Sequence, residues 1–353
     1  MNGQVSDVTS AVSDDVTSRD DVSDELMSVI RSLTSSRRYV PQWYVYDTRG
    51  SEMCEELIQK SETYNVWQHE YSILQAHADE IAGKVSPPAV LVDLGSGGSS
   101  KTRLVIEAMR KRRENFTFVP VDMAKEYIES CGRQLETDYP ELTVEPFGGL
   151  YMDGLRHVSA REEPKLLLFL GSSFNNISVH EQGRFLREIR AQLRAPDRFV
   201  IGLDMNTDRE AVCQAYGKQW TPIWRDNLID RFNKDFGGTM DAEKFEYQVD
   251  FVENPADGDT PSYVVGYLRS AARQRVHFET LGLDIDFEDG EKIYFYEGPN
   301  TSCKFNPRQI RCLAERSGFT VDALWTNDEE NYGVRLFGTD RFYSYRSLRF
   351  LKR

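Results

Sequence analysis

The sequence predicts an α/β fold in which a mostly parallel central sheet carries an inserted α+β lobe. Short apolar runs alternate with amphipathic segments between residues 89 and 205. Continuous apolar strands are typical of a parallel sheet whose two faces are covered by helices. The alternation stops after residue 205, where a long segment rich in Tyr, Trp and Phe follows. Two apolar runs near the C-terminus predict an antiparallel pair that closes the sheet.

The individual elements follow from hydrophobic periodicity. Ahead of the sheet, apolar residues at Leu26, Met27, Ile30 and Leu33 have helical spacing, so a helix is predicted from residue 24. The strands of the sheet are predicted at 89–96, 116–123, 165–173, 198–205, 319–325 and 332–337. The helices between them are predicted at 101–113, 125–136 and 180–194.

Three regions of the chain differ in composition. Residues 1–23 are rich in Ser, Asp, Thr and Val and lack an apolar stripe, which predicts a disordered acidic tail. Residues 24–65 and 206–290 form the predicted substrate-binding lobe, and residues 66–205 and 291–353 form the predicted cofactor-binding core. A lobe inserted beside the carboxyl ends of parallel strands creates a crevice where ligands of such folds bind.

Composition and charge restrict the class of partner. The chain has 353 residues and a net charge of −14, which disfavours nucleic acid and anionic membrane. No apolar run is long enough to predict a transmembrane helix, and the first residues do not resemble a secretory signal. The five cysteines and five histidines lack metal-ligand spacing. We therefore expect a monomeric cytoplasmic protein with free thiols, no metal and a small-molecule partner.

A glycine-rich turn between the first predicted strand and helix carries the strongest local signal. Gly95 and Gly97 allow the backbone to approach a bulky ligand, and the following helix offers free N–H groups. Asp122, at the end of the second strand, is suited to binding ribose hydroxyls. A dinucleotide site requires a third Gly or Ala where Ser100 stands. The turn therefore favours S-adenosylmethionine, with a dinucleotide or a purely structural turn as alternatives.

Several separated motifs occur in one order along the chain. They are YVYDTRGS at 44–51, DLGSGGSSKT at 93–102, PVD at 120–122, LGSSFNN at 170–176, AY at 215–216, FEDGE at 287–291 and SCKF at 302–305. With these motifs the chain resembles, over roughly residues 36–337, the histidine-specific N-methyltransferases of ergothioneine biosynthesis. It also resembles their fungal relatives that N-methylate dimethylallyltryptophan.

This resemblance implies a Rossmann-like class I methyltransferase sheet and S-adenosylmethionine as the cofactor. The residues that it implies for cofactor binding are Gly95, Ser96, Gly97, Lys101, Asp122, Leu150, Tyr151 and Gly171. The family has an Asp-Phe pair near the adenine, where this chain has Leu150 and Tyr151. The family's acidic residue is therefore missing.

The same resemblance implies the substrate site. Tyr46 would lie near the substrate amine as the catalytic residue, and Asn176 and Tyr216 would bind the α-carboxylate. A further family tyrosine corresponds to Tyr64, or to Thr63 if a gap lies elsewhere. The remaining residues that it implies for substrate binding are Trp224, Gly266, Asn300 and Ser302.

Three departures from the family concern the acceptor side chain. The glutamate that binds imidazole in the family is replaced by Asn300, although Glu297 could substitute for it. Gly266 occupies the position of a family methionine, which predicts a wider pocket. Trp224 occupies the position of a smaller family aromatic and could refill that space. These departures favour N-methylation of an aromatic amino acid similar to tryptophan or tyrosine. The alternatives are a histidine N-alpha-methyltransferase that makes the trimethylated betaine, a dinucleotide oxidoreductase and a catalytically inactive cofactor-binding protein.

Overall fold

The computed structural model describes residues 19–45, 47–112 and 115–339. Within them the α-helices are α1 (Arg19–Thr34), α2 (Gln42–Val45), α3 (Thr48–Lys60), α4 (Val66–Ala82), α5 (Thr102–Lys111), α6 (Lys125–Asp138), α7 (Tyr151–Ser159), α8 (Gln182–Gln192), α9 (Arg209–Ala215), α10 (Leu228–Phe236) and α11 (Pro307–Arg316).

The strands of the same residues form one large sheet, a smaller sheet and a hairpin. They are β1 (Tyr39–Val40), β2 (Ala89–Leu94), β3 (Phe116–Asp122), β4 (Thr143–Val144), β5 (Phe147–Gly148), β6 (Lys165–Phe169), β7 (Arg198–Asp204), β8 (Phe245–Val252), β9 (Ser262–Ser270), β10 (Gln274–Phe278), β11 (Leu283–Phe287), β12 (Lys292–Phe295), β13 (Ser302–Lys304), β14 (Thr320–Thr326) and β15 (Tyr332–Gly338).

The large sheet has the strand order β14–β15–β7–β6–β2–β3–β4, with β5 also paired to β3. Strands β3, β2, β6 and β7 run parallel, and β15 and β14 close the sheet in antiparallel pairs. Every residue of β2 and β6 is buried, as continuous apolar strands require. The predicted α/β fold and the predicted strands of the central sheet are confirmed.

Alternate residues of the central strands enter two separate cores. Leu91 of β2 packs in a core that contains residues of α4 and α5, such as Leu74 and Ile106. Its neighbour Val92 packs in a second core with residues of α7 and α8, such as Leu155. Because side chains of a strand alternate between faces, helices cover both faces of the sheet. This arrangement leaves the carboxyl ends of the strands free to form a site.

The smaller sheet has the order β1–β12–β9–β13, with β8 paired to β9, and β10 and β11 form a separate hairpin whose Phe287 contacts Phe245 of β8. Strands β8 and β9 come from the predicted inserted lobe. Strands β12 and β13, which follow residue 290, are hydrogen-bonded into the same sheet. The sheet of the lobe therefore continues to Lys304, and the division of the chain into domains stays a prediction.

Helix α1 begins at Arg19, so it includes residues 19–23 of the predicted tail, and the tail itself stays a prediction. The helix is anchored further along, where Val29 and Leu33 are buried. Once a helical turn has formed, adding residues to its end costs little free energy. Residues 1–18 of the predicted tail lie outside the described residues. None of the described helices is long and apolar enough to cross a bilayer.

Candidate active site

A cavity of about 660 Å³ opens where the carboxyl ends of β2, β3 and β6 meet the smaller sheet and its helices. The residues that line its sheet end are Gly95, Asp122, Met123, Ala124, Leu150, Tyr151 and Gly171. The residues that line its aromatic end are Tyr64, Tyr216, Trp220, Trp224, Tyr247, Phe295 and Tyr296. The position agrees with the general location of ligand sites in such sheets.

The predicted glycine turn forms one wall of the sheet end. Gly95 and Gly97 have φ angles of +75° and +49°, which glycine adopts without strain. A Cβ at Gly95 would lie 3.3 Å from the Tyr151 hydroxyl, whereas one at Gly97 would meet nothing within 4 Å. The Ser96 hydroxyl is 2.6 Å from the Ser99 hydroxyl. Gly95 lines the cavity, but Ser96 and Gly97 support the turn from outside it.

Asp122 is held by two backbone N–H groups and still faces the cavity. One carboxylate oxygen accepts from Gly97 N and the other from Ala124 N, each at 3.1 Å. An ionised carboxylate has about four lone-pair positions, so further acceptor capacity is left. Asp122 can therefore bind the hydroxyls of a ribose in the cavity.

Two large apolar side chains remain exposed at the sheet end. Met123 is 59% exposed and Leu150 is 58% exposed, and both line the cavity. The Tyr151 ring, which also lines the cavity, packs edge-on to Phe169 at 5.2 Å, and burial raises the pKa of Tyr151 to about 12. These side chains suit the flat faces of an adenine. Met123 was missed from the sequence, although its place directly after Asp122 is a signal.

A buried carboxylate lies beneath the sheet end. Glu70 of α4 is 0% exposed. It accepts from Gly171 N at 3.0 and 2.8 Å and from the Tyr332 hydroxyl at 2.8 Å, and it pairs with the Lys101 ammonium. A Cβ at Gly202 would overlap the carboxylate. Lys101 does not line the cavity, whereas Gly171 does. Glu70 joins the two, because it binds both the Lys101 ammonium and the Gly171 N–H.

The aromatic end is a continuous set of rings. Trp224 lies 4.7 Å from Phe295 and 6.2 Å from Trp220, measured between ring centroids. A Cβ at Gly266 would be 2.7 Å from a ring carbon of Phe295. The Phe295 ring therefore lies beside Gly266 and Trp224 packs on that ring, while the widening expected at Gly266 stays a prediction. Gly266 itself does not line the cavity.

Tyr216 and Tyr64 form a wall of the cavity and are held from behind. Their rings meet edge-on at 5.3 Å. The Tyr216 hydroxyl donates to the Ser302 hydroxyl at 3.1 Å and accepts from Lys304 Nζ at 2.9 Å. Lys304 also pairs with Asp204. Ser302 lies behind the wall rather than in the cavity lining. The sequence assigned no role to Asp204, or to Lys304 within the SCKF motif.

Of three predicted substrate-site residues, Asn176 and Glu297 reach the cavity and Asn300 does not. Asn176 and Glu297 both line the cavity, and Glu297 is exposed to solvent. The amide of Asn300 binds backbone, since its oxygen accepts from Val179 N at 3.2 Å and its nitrogen donates to the carbonyls of residues 175 and 177. Asn300 is 1% exposed and does not reach the cavity lining.

The predicted catalytic residue Tyr46 lies outside the described residues. Its neighbours in α2, Gln42 and Trp43, line the cavity. In the described residues, no group of His, Cys, Asp and Glu side chains is placed to hold a metal ion.

Comparison with known proteins decides the family. Residues 24–339 match the family described as histidine-specific methyltransferase, SAM-dependent. The chain belongs to this family. It is therefore an S-adenosylmethionine-dependent N-methyltransferase with a Rossmann-like class I sheet, as predicted, and the dinucleotide alternative is wrong. The glycine turn, the free acceptor capacity of Asp122 and the exposed Met123 and Leu150 fit this cofactor.

Individual relatives differ in the substrate that their names give. Histidine N-alpha-methyltransferase of Mycobacterium tuberculosis (strain CDC 1551 / Oshkosh) is 27% identical over 84% of this chain and 88% of that protein. 4-Dimethylallyltryptophan N-methyltransferase easF of Claviceps fusiformis is 24% identical over 85% of this chain and 88% of that protein. Ergothioneine biosynthesis protein 1 of Neurospora crassa is 28% identical over 90% of this chain but only 35% of that longer protein.

Proposed function

We propose that the chain methylates the α-amino group of an aromatic amino acid, with an indole or phenol side chain preferred to imidazole. The observation that carries this proposal is the aromatic end of the cavity. Among the described residues of the lining, only Asp122 and Glu297 are charged. Asp122 belongs to the sheet end and Glu297 is exposed, so an uncharged ring can be buried without leaving an ionised partner unpaired.

A second candidate is histidine N-alpha-methylation to the trimethylated betaine. It is favoured by Glu297, which lines the cavity although Asn300 does not. A carboxylate at that place can accept a hydrogen bond from an imidazole N–H. Against it, Glu297 is exposed to water, which weakens its electrostatic interaction with a bound ring.

For the cofactor, we assign the ribose to Asp122 and the adenine to the space between Met123 and Leu150. Gly95 and Gly171 offer backbone close to the remainder of the molecule, and Tyr151 lies beneath it. Gly171 has a φ of +73°, and its N–H is already bound to Glu70. The implied roles of Ser96, Gly97 and Lys101 then become support of these residues.

When bound, the cofactor supplies an electrophilic methyl group on a sulfonium. The acceptor nitrogen forms the new N–C bond as the S–C bond breaks, so S-adenosylhomocysteine leaves. The chain's own contribution is to hold the amine in line at about 3–3.5 Å. We propose that Asn176 and Tyr216 fix the α-carboxylate and that Tyr46 lies near the amine. The amine proton is lost to water before attack.

We also keep the expectation of a monomeric enzyme of the cytoplasm. The expectation of a reducing compartment rests on the sequence, whose five cysteines are scattered along the chain. Size-exclusion chromatography with light scattering tests the oligomeric state directly.

Methylation assays on a panel of amino acids test the substrate. The full chain is incubated with S-adenosylmethionine and L-tryptophan, L-tyrosine, 4-dimethylallyltryptophan or L-histidine, and the products are analysed by mass spectrometry. We expect kcat/KM to be at least 10-fold higher for an indole or phenol acceptor than for histidine. A preference for histidine contradicts the proposal and favours the second candidate. If none is methylated while S-adenosylhomocysteine binds, the chain is a cofactor-binding protein without this activity.

A further inference from the structure

We propose that Lys304 is a positioning residue that makes the enzyme select amino acids over the corresponding amines. It would do so by presenting a positive charge to the α-carboxylate through Tyr216. This inference rests on the proposed function, because it takes an α-amino acid as the acceptor.

The three N–H groups of Lys304 are directed by the fold. Its side chain is 0% exposed. The ammonium donates to the Tyr216 hydroxyl at 2.9 Å and to the Ser302 hydroxyl at 3.2 Å, and it pairs with Asp204. Asp204 also accepts from Asn206 N at 3.0 Å. One partner of the ammonium, Tyr216, lines the active-site cavity.

The two members of the ion pair are placed differently with respect to two cavities. Asp204 lines a second, smaller cavity of about 160 Å³, and Tyr64 and Tyr216 line both cavities. Asp204 does not line the active-site cavity. The carboxylate of the pair therefore reaches the smaller cavity, whereas the ammonium donates to Tyr216, which belongs to the wall that the two cavities share. The pair carries no net charge, so the site without substrate does not contain an uncompensated ammonium.

Stability does not explain this arrangement. A buried ion pair costs much desolvation free energy, and replacing one with apolar residues is often neutral or stabilising. A function that needs a fixed charge gives a better reason. Lys304 donates to the Tyr216 oxygen, and the Tyr216 hydroxyl hydrogen is donated to Ser302. A substrate carboxylate takes this hydrogen in place of Ser302, whose oxygen still accepts from Lys304. A carboxylate that accepts this hydrogen gains a charge-assisted bond, which is roughly twice as strong as a neutral one.

The test compares an amino acid with its decarboxylated amine, for example tryptophan with tryptamine or histidine with histamine, using whichever acid the enzyme methylates. In the unaltered enzyme we expect kcat/KM to favour the acid. In Lys304→Met we expect KM for the acid to rise about 10-fold to 100-fold, the range that a hydrogen bond to a charged group gives. The KM for the amine should change less than 3-fold.

Three controls separate this role from a loss of structure. Lys292→Met removes a lysine from β12 of the same sheet, where it pairs with Asp250 at 3.4 Å at the surface, and should leave the preference for the acid unchanged. Lys304→Arg should restore part of that preference. S-adenosylhomocysteine affinity, measured by calorimetry, should stay within 3-fold of the unaltered enzyme. If Lys304→Met does not bind it, the same comparison is made with Lys304→Gln.

The outcomes distinguish the two proposals. An unchanged ratio between acid and amine in the Lys304 variants overturns the role of Lys304 and leaves the proposed function standing. An unaltered enzyme that methylates the amine as well as the acid contradicts carboxylate recognition itself. Absence of methylation of every aromatic amino acid contradicts the proposed function.

Discussion

The buried carboxylate of Glu70 joins three parts of the core, and its removal is predicted to be costly. In Glu70→Gln, the Lys101 ammonium loses its charged partner although its side chain is only 15% exposed. Breaking a buried pair on one side costs about 3–5 kcal/mol, because the other charge stays buried without compensation. The Gly171 N–H and the Tyr332 hydroxyl can still donate to the amide oxygen, so this figure applies to the ion pair alone.

A double-mutant cycle measures that figure. Lys101→Met leaves Glu70 without its charged partner, whereas the double variant removes both charges. The double variant should therefore lose less free energy of unfolding than Glu70→Gln and Lys101→Met lose together, by about 2–3 kcal/mol. Urea denaturation at pH 7 of the four proteins gives the values. Glu80→Gln is the matched control on α4, since Glu80 is half exposed and accepts from Trp325 Nε1 at 2.9 Å, and it should cost less than about 1 kcal/mol.

The cycle can refute the reasoning. If the loss of the double variant equals the sum of the two single losses within about 0.5 kcal/mol, Glu70 and Lys101 are not coupled. The buried ion pair then does not stabilise the fold beyond its separate side chains. The same variants report on the cofactor, because Gly171 is bound to Glu70 and lines the cavity. We expect S-adenosylhomocysteine to bind Glu70→Gln about 10-fold more weakly, and Glu80→Gln to bind it unchanged.

Three further predictions concern the cavity and its support. Asn176→Ala should raise KM for the amino acid about 10-fold with kcat nearly unchanged; a fall in kcat alone would mean that Asn176 does not anchor the carboxylate. Gly266→Met should destabilise the fold by about 1–3 kcal/mol in thermal denaturation, because its Cβ would press on Phe295, and an unaltered Tm contradicts the filled pocket. Burial raises the pKa of Asp93 to about 6. The native carboxyl therefore takes up its proton at higher pH than the unfolded one, and its stabilising contribution at low pH is lost as the pH rises from about 4 to 6. Asp93→Asn should show a smaller fall in unfolding free energy over that window, and an identical fall excludes Asp93 as the source.

The sequence by itself determined the central sheet, the glycine turn and the family. Each depends on residues that are neighbours along the chain. Apolar runs such as 89–94 report burial on both faces, because helices cover both faces of a parallel sheet and every residue of this strand is buried. The strand end at Asp122 is likewise a local pattern, so its place at the cavity was predictable.

Only the tertiary structure decided which side chains reach the cavity. Asn300 and Glu297 are three residues apart in one loop, yet Glu297 lines the cavity while Asn300 binds the backbone near Val179. The space beside Gly266 is filled by Phe295, which no local pattern reveals.

The buried charges show why the sequence alone does not predict these contacts. Glu70 is 101 residues from Gly171 and 262 residues from Tyr332 in the sequence, and Lys304 is 100 residues from Asp204. Periodicity reports whether a side chain is buried, but a buried charge is tolerated only beside a specific partner. That partner is brought into place by the packing of the whole chain. The sequence therefore determined the methyl donor, and the folded structure decided which groups line the cavity.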